Sequence, residues 1–432
     1  MCARASEGAT EGYCECRGRA EEGGECRGGA EEDALWHEDR EEETDTGHVV
    51  ACSPAEMAKV ALHGTSVVDM SYGSAGVQRG TCINRWYDKS LQIIVCQNGA
   101  AGVNFEHSVI DGHSVLRFAS DVFTETILRF AETIRSNFAR RQTAGIQLSG
   151  GAGADDRSVT PVAYCRIEWT LDTDILSAML IAESKLSDRI PQVDMQVLEF
   201  AAFGKNWIVD QKLSPDALVQ IAFQVAYYRV YRGCVCTYET IMTKQFFHGR
   251  TEAGYIVTHQ SKKLCESFNA ANSVETLQSL LKDALDAHVR VVRLASQGRG
   301  IRTLFALKCL AAQQEGQTEA MPPFFSDAAW KLLSDNRLST SNCGNPALRM
   351  FGFGPVSAQG FGVGYIIKDD NMQFCVSSFN RQTARFISSL QVSISSAPFC
   401  ALNMSTLSTC LHLQQEAGEG GGKGKRKWGR VS

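Results

Sequence analysis

The sequence lacks any long uninterrupted hydrophobic run. A helix that crosses a membrane needs about 18 to 20 consecutive apolar residues, whereas the longest apolar segment of the 432 residues, 217–228, is interrupted by Gln220 and Gln224. The pattern therefore predicts a chain without transmembrane segments.

An excess of positive charge is also lacking. The formal net charge is −5, from 43 Lys and Arg against 48 Asp and Glu. Residues 1–47 alone contain 15 acidic and 5 basic residues, which leaves a balance of +5 for the remainder. So weak a positive balance predicts no nucleic-acid partner, but it suits a small polyanionic ligand.

The 16 cysteines do not have the spacing of a metal site. Cys14 with Cys16 and Cys234 with Cys236 form CxC pairs rather than CxxC pairs, and no histidine follows at zinc-binding spacing. The chain does not open on a secretory hydrophobic segment or on an Arg-rich transit peptide. The sequence therefore predicts free, reduced thiols, no bound metal and no visible targeting signal.

Composition divides the chain into segments. The first repeats Glu-Cys-Arg-Gly-x-Ala-Glu-Glu with little apolar surface to bury, so it is predicted to be disordered. The last ends in a Gly-rich and Lys-rich sequence, for which a solvated tail is favoured over a nuclear address or an anion patch. The predicted segments are a disordered repeat (1–47), a first domain (48–142), a Gly/Ser-rich linker (143–158), a second domain (159–395) and a tail (396–432).

The hydrophobic patterning predicts an α/β protein. Two apolar runs, 91–96 and 101–105, flank Asn98-Gly99, which is a strong hairpin signal. Ser214-Pro215-Asp216 has the residues of a helix start. Further strands are predicted at 162–169, 193–200, 361–367 and 372–377, and helices at 115–130, at 172–186 and over much of 215–335.

Two groups of residues suggest chemistry by themselves, and each has a structural alternative. His107 follows the predicted hairpin, and Asp111 lies four residues later, within reach of orienting an imidazole. The alternative is a structural hydrogen-bonded pair. Lys205 and Lys212 precede the helix start, where cations and free backbone N–H groups favour an anion. The alternative is a pair of solvated lysines.

Four segments, in order along the chain, resemble the choline/carnitine acyltransferase family. They are 84–90 (NRWYDKS) with 105–112 (FEHS-x-x-DG), 203–205 (FGK) with 212–216 (KLSPD), 237–239 (TYE) with 248–252 (HGRTE), and 338–341 (LSTS) with 353–355 (FGP). The resemblance covers residues 81–390. By itself the Ser-Thr-Ser run is only a weak signal of a loop or an edge strand.

The resemblance implies a fold and a reaction. The fold is a two-domain, chloramphenicol-acetyltransferase-like α/β fold with mixed sheets flanked by helices and a tunnel between the halves. The reaction is reversible transfer of an acyl group between coenzyme A and carnitine, without an acyl-enzyme, a metal or a permanently bound cofactor. The lack of a GxSxG nucleophile motif agrees with this. The compartment implied is the mitochondrion or the peroxisome.

The resemblance also implies residue roles. His107 acts as general base, with Asp111 serving Arg302, and Ser341 donates to the oxyanion. Contacts with coenzyme A are implied for Lys205, Lys212, Ser214 and Asp216.

Substrate contacts follow from the same motifs. Tyr238 and Thr251 match hydroxyls that bind the carboxylate of carnitine, and Ser339, in the acyl-transfer segment, is a further implied substrate contact. Phe353 matches an aromatic residue that packs on trimethylammonium. Phe351 matches a bulky residue that closes the acyl pocket, which predicts short acyl chains.

The chain departs from the family pattern at several places. Val209 stands where a second basic residue is usual, and Asn342 stands where Gln is usual. Only 80 residues precede the resembling segment, fewer than the family's first domain has. A second hypothesis follows: a truncated or inactive relative that only binds coenzyme A or a protein partner.

Overall fold

The computed structural model describes residues 54–55, 57–58, 87, 89–95, 101–107, 110–143, 169–268, 272–313 and 322–396. The chain divides into two compact units, residues 1–111 and 112–432. The predicted disordered segment lies outside the described residues, as do all but the first residue of the predicted linker and of the predicted tail.

The first unit contains the predicted hairpin. Strands β1 (Leu91–Val95) and β2 (Ala101–Phe105) pair antiparallel, with Leu91 opposite Phe105. The backbone N–H of Glu106 donates to the carbonyl of Ser90 at 3.1 Å, one step beyond the ladder. The hairpin prediction is therefore confirmed, and His107 follows the end of β2 directly.

The second unit contains helices and a six-stranded sheet. The helices are α1 (Gly112–Thr143), α2 (Thr173–Arg189), α3 (Lys205–Asp210), α4 (Pro215–Tyr231), α5 (His259–Ser267), α6 (Val274–Ser296), α7 (Arg302–Gln313), α8 (Pro323–Ser326), α9 (Ala328–Ser334) and α10 (Thr383–Ile394), with a 3₁₀ turn at Ile190–Gln192. The strands are β3 (Asp194–Phe200), β4 (Thr237–Met242), β5 (Thr251–Tyr255), β6 (Leu338–Asn342), β7 (Phe361–Ile367) and β8 (Met372–Ser378).

The sheet is mixed. Its strand order is β3-β8-β7-β6-β4-β5. The pairs β4 with β6 and β6 with β7 are parallel, and the remaining pairs are antiparallel. The Ser-Thr-Ser run forms β6, which lies between β7 and β4, so the loop or edge-strand signal was wrong. Strands buried on both faces lack the alternation of apolar and polar residues that marks a strand with one exposed face.

Helix α4 begins as its sequence predicts. The hydroxyl of Ser214 accepts a hydrogen bond from the N–H of Ala217 at 3.3 Å, and Pro215 occupies the first turn. The helix ends at Tyr231. Its cap residue, Arg232, has a left-handed φ of 58°, and the N–H of Arg232 donates to the carbonyl of Tyr228. Residues 217–227 are all buried, as expected of a helix that is apolar on every side.

The core lies between α4 and the sheet. The ring of Phe223 is fully buried and meets Tyr365 and Phe374 edge to face, at centroid distances of 5.3 and 5.8 Å. Helix α10 packs beside α4, and its Phe386 stacks on Phe361 at 4.7 Å. The prediction of an α/β fold with a mixed sheet flanked by helices is confirmed.

Most predicted elements appear with small changes in their ends. Strands β3, β7 and β8 are confirmed, and α2 ends three residues beyond its predicted end. Most of the strand predicted at 162–169 lies outside the described residues. Strands β4 and β5 were missed in a region predicted to be largely helical. Thr237–Met242 is rich in β-branched and aromatic residues, which favour strands, but it has no apolar run.

None of the helices in the described ranges combines the length and apolarity needed to cross a bilayer.

Candidate active site

Predicted substrate-binding residues share one face of the sheet. Tyr238 on β4 lies opposite Ser339 on β6, and Met242 lies opposite Thr251 on β5. Because side chains alternate between the faces of a strand, Tyr238, Ser339, Ser341 and Thr251 all belong to the same face. The structure therefore brings onto one face residues from two motif segments that are far apart in the sequence, Tyr238 and Thr251 from one and Ser339 and Ser341 from the other.

The loop that carries Phe351 and Phe353 lies on this same face. Ser339 and Ser341 pair with Gly362 and Gly364 on β7. A Cβ atom on Gly364 would overlap the backbone carbonyl of Phe351, and one on Gly362 would lie 2.9 Å from the carbonyl oxygen of Phe353. Because glycine has no side chain, Gly362 and Gly364 let the loop lie directly on the sheet. The rings of the two phenylalanines are 5.9 Å apart.

Tyr238 lies on β4, between β6 and the edge strand β5. Its side chain is buried, and its hydroxyl accepts a hydrogen bond from Oγ1 of Thr240 at 3.3 Å. Its ring meets the edge of Tyr255 at 6.4 Å. Thr240 is two residues further along β4, so it is a fifth hydroxyl on the same face. It was missed because it stands outside the Thr-Tyr-Glu motif.

The predicted coenzyme A residues occupy the approach to α4. Lys205 is the first residue of α3, and its N–H donates to the carbonyl of Lys368 at 2.8 Å. Its ammonium lies 4.0 Å from Asp369. Lys212 has a left-handed φ of 59°. Both lysines are exposed, whereas Ser214 caps α4. Val209, at the position of the missing basic residue, is half exposed.

His107 and Asp111 belong to the first unit. His107 is exposed, and its ring centroid lies 6.3 Å from that of Phe105. Asp111 is buried and directly precedes α1. Arg302 is the first residue of α7 in the second unit, where its backbone N–H donates to Oε1 of Glu252 at 3.1 Å. The pairing of Asp111 with Arg302 stays a prediction.

A buried group of titratable side chains lies on the opposite face of the sheet. Glu239, on β4, and His288, on α6, approach within 2.8 Å between Oε2 and Nε2. Donor atoms of these two residues and of Asp216 all lie within 4.8 Å of one another. Burial and the nearby Asp216 raise the pKa of Glu239 well above its usual value, and burial lowers the pKa of His288. Both shifts disfavour the ionised forms of the two groups.

Asp216 is engaged by donors from the sheet. Its Oδ1 accepts a hydrogen bond from the hydroxyl of Tyr365 at 2.7 Å and one from Nδ2 of Asn342 at 3.2 Å. A set of two carboxylates and one imidazole has the chemistry of a cation site, but here these atoms bond to one another and to neighbouring donors. The prediction of no bound metal stays a prediction.

Gln220 joins this group to β6. Its Nε2 donates to Oγ1 of Thr340 and to the hydroxyl of Tyr365, both at 2.8 Å. The sequence motifs missed Gln220, Glu239 and His288 as a group. One signal was available, because Gln220 and Gln224 interrupt an otherwise apolar helix. Buried polar side chains in such a helix normally have specific partners.

Gly364→Ala is expected to destabilise the protein, because the added methyl group overlaps the backbone at Phe351. Overpacking of this kind typically costs about 1 to 3 kcal/mol. Chemical denaturation measures the free energy of unfolding. Gly233→Ala is the matched control, because a Cβ there meets nothing within 4 Å. Equal stability of the two variants would show that the loop does not rest on Gly364.

Comparisons with known proteins agree on one family. The family model described as "Choline/Carnitine o-acyltransferase" matches residues 42–392. The "Putative mitochondrial carnitine O-acetyltransferase" of Saccharomyces cerevisiae is 43% identical over 349 residues, which are 78% of this chain and 51% of that protein. "Carnitine O-palmitoyltransferase 2, mitochondrial" is 35% identical in Xenopus tropicalis, over 72% of this chain and 45% of that protein. The human protein of the same name is 31% identical, over 81% of this chain and 51% of that protein.

The chain spans about half the length of these curated relatives. Among solved structures, the epimerization domain from the third module of tyrocidine synthetase B matches at 12% identity with a TM-score of 0.27. It covers 51% of this chain and 49% of that chain. So low a score carries no weight for fold or function.

Proposed function

The chain belongs to the choline/carnitine O-acyltransferase family, and from this premise we propose that it transfers an acyl group reversibly between coenzyme A and carnitine. One observation carries the proposal beyond family membership. Four residues from two distant motif segments lie on one face of one sheet: Tyr238 and Thr251 from one segment, and Ser339 and Ser341 from the other. Coenzyme A and carnitine are substrates in this reaction, and no permanently bound cofactor takes part.

His107 is the proposed general base. An imidazole accepts the proton of the carnitine hydroxyl as its oxygen attacks the thioester carbonyl, and it returns that proton to the departing thiolate. The reverse reaction uses the same residue with the coenzyme A thiol as nucleophile. Asp111 and Arg302 are proposed as the pair that supports the base. No bond forms between the acyl group and the protein.

Ser341 is the proposed oxyanion donor. As the carbonyl carbon becomes tetrahedral, negative charge develops on its oxygen. A hydroxyl placed at that oxygen is typically worth about 3 to 4 kcal/mol. Ser341 is at the end of β6 where burial decreases, whereas Ser339 is fully buried. This change in burial supports Ser341 as the donor and Ser339 as its neighbour lining the site.

The remaining polar residues on this face suit carnitine. The hydroxyls of Tyr238 and Thr251 are proposed to bind its carboxylate, and the ring of Phe353 is proposed to pack on its trimethylammonium group. Choline has no carboxylate, and Thr251 followed by Glu252 matches the carnitine-using pattern. We therefore propose carnitine rather than choline as the acceptor.

Coenzyme A is proposed to bind at the approach to α4. Lys205, the first residue of α3, and Lys212, two residues after its end, are exposed cations, and the positive end of the α4 dipole follows them. Together these features suit the phosphates of the coenzyme. Ser214 and Asp216 complete the proposed segment.

Short acyl groups are proposed as the preferred groups for transfer. The relatives include proteins named as acetyltransferases and as palmitoyltransferases, so family membership leaves chain length open. The backbone of Phe351 lies against Gly364 of β7, the residue that pairs with Ser341, and its ring is proposed to fill the space that a long acyl tail needs. The names of the same relatives support the mitochondrion as the compartment, and the peroxisome stays a prediction.

A binding-only relative is the second candidate function. Exposed apolar side chains on α1 and α2 favour it, because large exposed apolar surfaces mark sites of association. Phe130 on α1 is 64% exposed and Leu180 on α2 is 67% exposed. Such a chain would bind coenzyme A or a protein without catalysing transfer.

A thiol-release assay with acetyl-CoA tests the proposal. Thiol release that depends on carnitine and not on choline is the expected result, because only carnitine has a carboxylate for Tyr238 and Thr251. Calorimetric titration with coenzyme A runs alongside. Binding without release in either case would support the second candidate function.

His107→Ala is expected to abolish nearly all transfer, because no other group then accepts the proton of the attacking hydroxyl. Binding of coenzyme A is expected to stay within a few fold, since the imidazole does not contact the phosphates. Steady-state kinetics and calorimetry measure the two quantities. The control is His259→Ala, an exposed histidine at the start of α5, which should keep full activity. Substantial turnover in His107→Ala would refute the assignment.

Phe351→Gly is expected to raise activity on octanoyl-CoA relative to acetyl-CoA, because it removes the ring proposed to close the acyl pocket. The measurement is the ratio of kcat/KM for the two substrates. Phe247→Gly is the control, because that ring is 96% exposed. An unchanged ratio in Phe351→Gly would show that Phe351 does not line the acyl pocket, and the proposed short-chain preference would then have no structural basis.

A further inference from the structure

A hydrogen-bond network connects α4 to the sheet on the face opposite the proposed substrate face. Tyr365 is its centre: the hydroxyl donates to Asp216 at 2.7 Å and accepts from Gln220 at 2.8 Å. Gln220 also donates to Thr340, whose hydroxyl donates to the backbone carbonyl of Tyr238 at 2.8 Å. The network therefore runs from the first turn of α4 through β7 and β6 to β4.

The direction of each hydrogen bond in the network is determined. The hydroxyl protons of Tyr365 and Thr340 are committed to Asp216 and to the carbonyl of Tyr238. Both hydroxyl oxygens are then acceptors, so the amide of Gln220 must present its NH₂ group to them. Burial and the neighbouring carboxylate raise the pKa of Tyr365 well above its usual value, so its hydroxyl keeps the proton it donates. A network with one consistent set of donors holds one geometry.

The network lies directly behind the proposed site. Thr340 stands between Ser339 and Ser341 on β6, and Glu239 stands between Tyr238 and Thr240 on β4. Alternation puts each of them on the opposite face from its two neighbours. A shift of Thr340 therefore moves the backbone of the proposed oxyanion donor and the backbone of Tyr238.

At its other end the network fixes the start of α4. Asp216 is in the first turn of that helix, two residues after Ser214 and four after Lys212. Its Oδ1 is held by Tyr365 and Asn342, so the carboxylate points to the sheet. Tyr365 and Gln220 are fully buried, where hydrogen bonds are less weakened by water than at a surface.

We propose that Tyr365 is a positioning residue for coenzyme A: through Asp216 it sets the start of α4 relative to the strands that carry Tyr238 and Ser341. This rests on the proposed function, because it assumes that the coenzyme binds at the approach to α4. It gives Asp216 an internal role, as the anchor of the helix, in place of direct contact with the coenzyme. Tyr365 itself touches neither substrate.

Tyr365→Phe tests the proposal in the full chain. The variant removes one hydroxyl at nearly constant volume and leaves Asp216 and Gln220 each short of one partner. The dissociation constant for coenzyme A, measured by calorimetry on folded protein, is expected to rise about five- to tenfold, the effect of losing one such hydrogen bond. The KM for carnitine is expected to stay within about twofold of the wild-type value, because the link from Thr340 to β4 is intact.

Tyr227→Phe is the matched control. Tyr227 is also a buried tyrosine, on α4 itself, but its hydroxyl bonds to Arg337 outside the network. If loss of any buried hydroxyl near α4 weakens coenzyme binding, both variants will show it. The proposal requires that Tyr227→Phe keep the wild-type dissociation constant.

Thr340→Val provides a second test that does not depend on the folding of Tyr365→Phe. It removes the acceptor of Gln220 and the donor to the carbonyl of Tyr238, so it is expected to weaken coenzyme binding and to raise the KM for carnitine together. A wild-type dissociation constant for coenzyme A in either folded variant overturns the proposal.

The wild-type chain separates this proposal from the proposed function. A chain that binds coenzyme A without transferring acyl groups would defeat the transferase proposal and leave the comparison of dissociation constants valid. A chain that does not bind coenzyme A at all would overturn both.

Discussion

The burial of polar side chains on β6 is the constraint on which the candidate site depends. Ser339 and Thr340 are fully buried although they are adjacent on an interior strand, so they face opposite sides of the sheet. A buried hydroxyl without a partner costs free energy. On the face that α4 covers, Gln220 donates a hydrogen bond to Thr340 and so offsets this cost. On the other side, Ser339 shares a face with Tyr238 and with Ser341, beside the loop at Phe351.

The same constraint explains what the sequence could and could not predict. The hairpin at Asn98-Gly99 and the start of α4 at Ser214 depend on local turn and capping chemistry, so both could be predicted. Strand β6 could not, because its burial comes from neighbours that are distant in the chain. Its three hydroxyl residues would be typical of a loop or an edge strand if they were exposed. Tertiary context reversed the local signal.

The candidate site also has residues that the sequence could predict and residues that it could not. The residues on the proposed substrate face could be predicted from the motifs, because Tyr238, Thr251 and Ser341 belong to short recognisable segments. Strand register alone showed that they share a face. The residues behind that face belong to no motif as a group. Gln220 is on a helix, Tyr365 on a strand and His288 on another helix, and only three-dimensional contact relates them.

The charge state of this hidden group limits what it can do. Two carboxylic acids in close contact within a buried region cannot both stay ionised at small cost. Tyr365 and Asn342 both donate to Asp216, whereas Glu239 lies beside a buried imidazole whose pKa is lowered. Burial and the nearby Asp216 raise the pKa of Glu239 well above its usual value, so ionisation of Glu239 is opposed. With its Oδ1 held by two donors from the sheet, Asp216 anchors the first turn of α4. A carboxylate held in this way orients the helix that carries it.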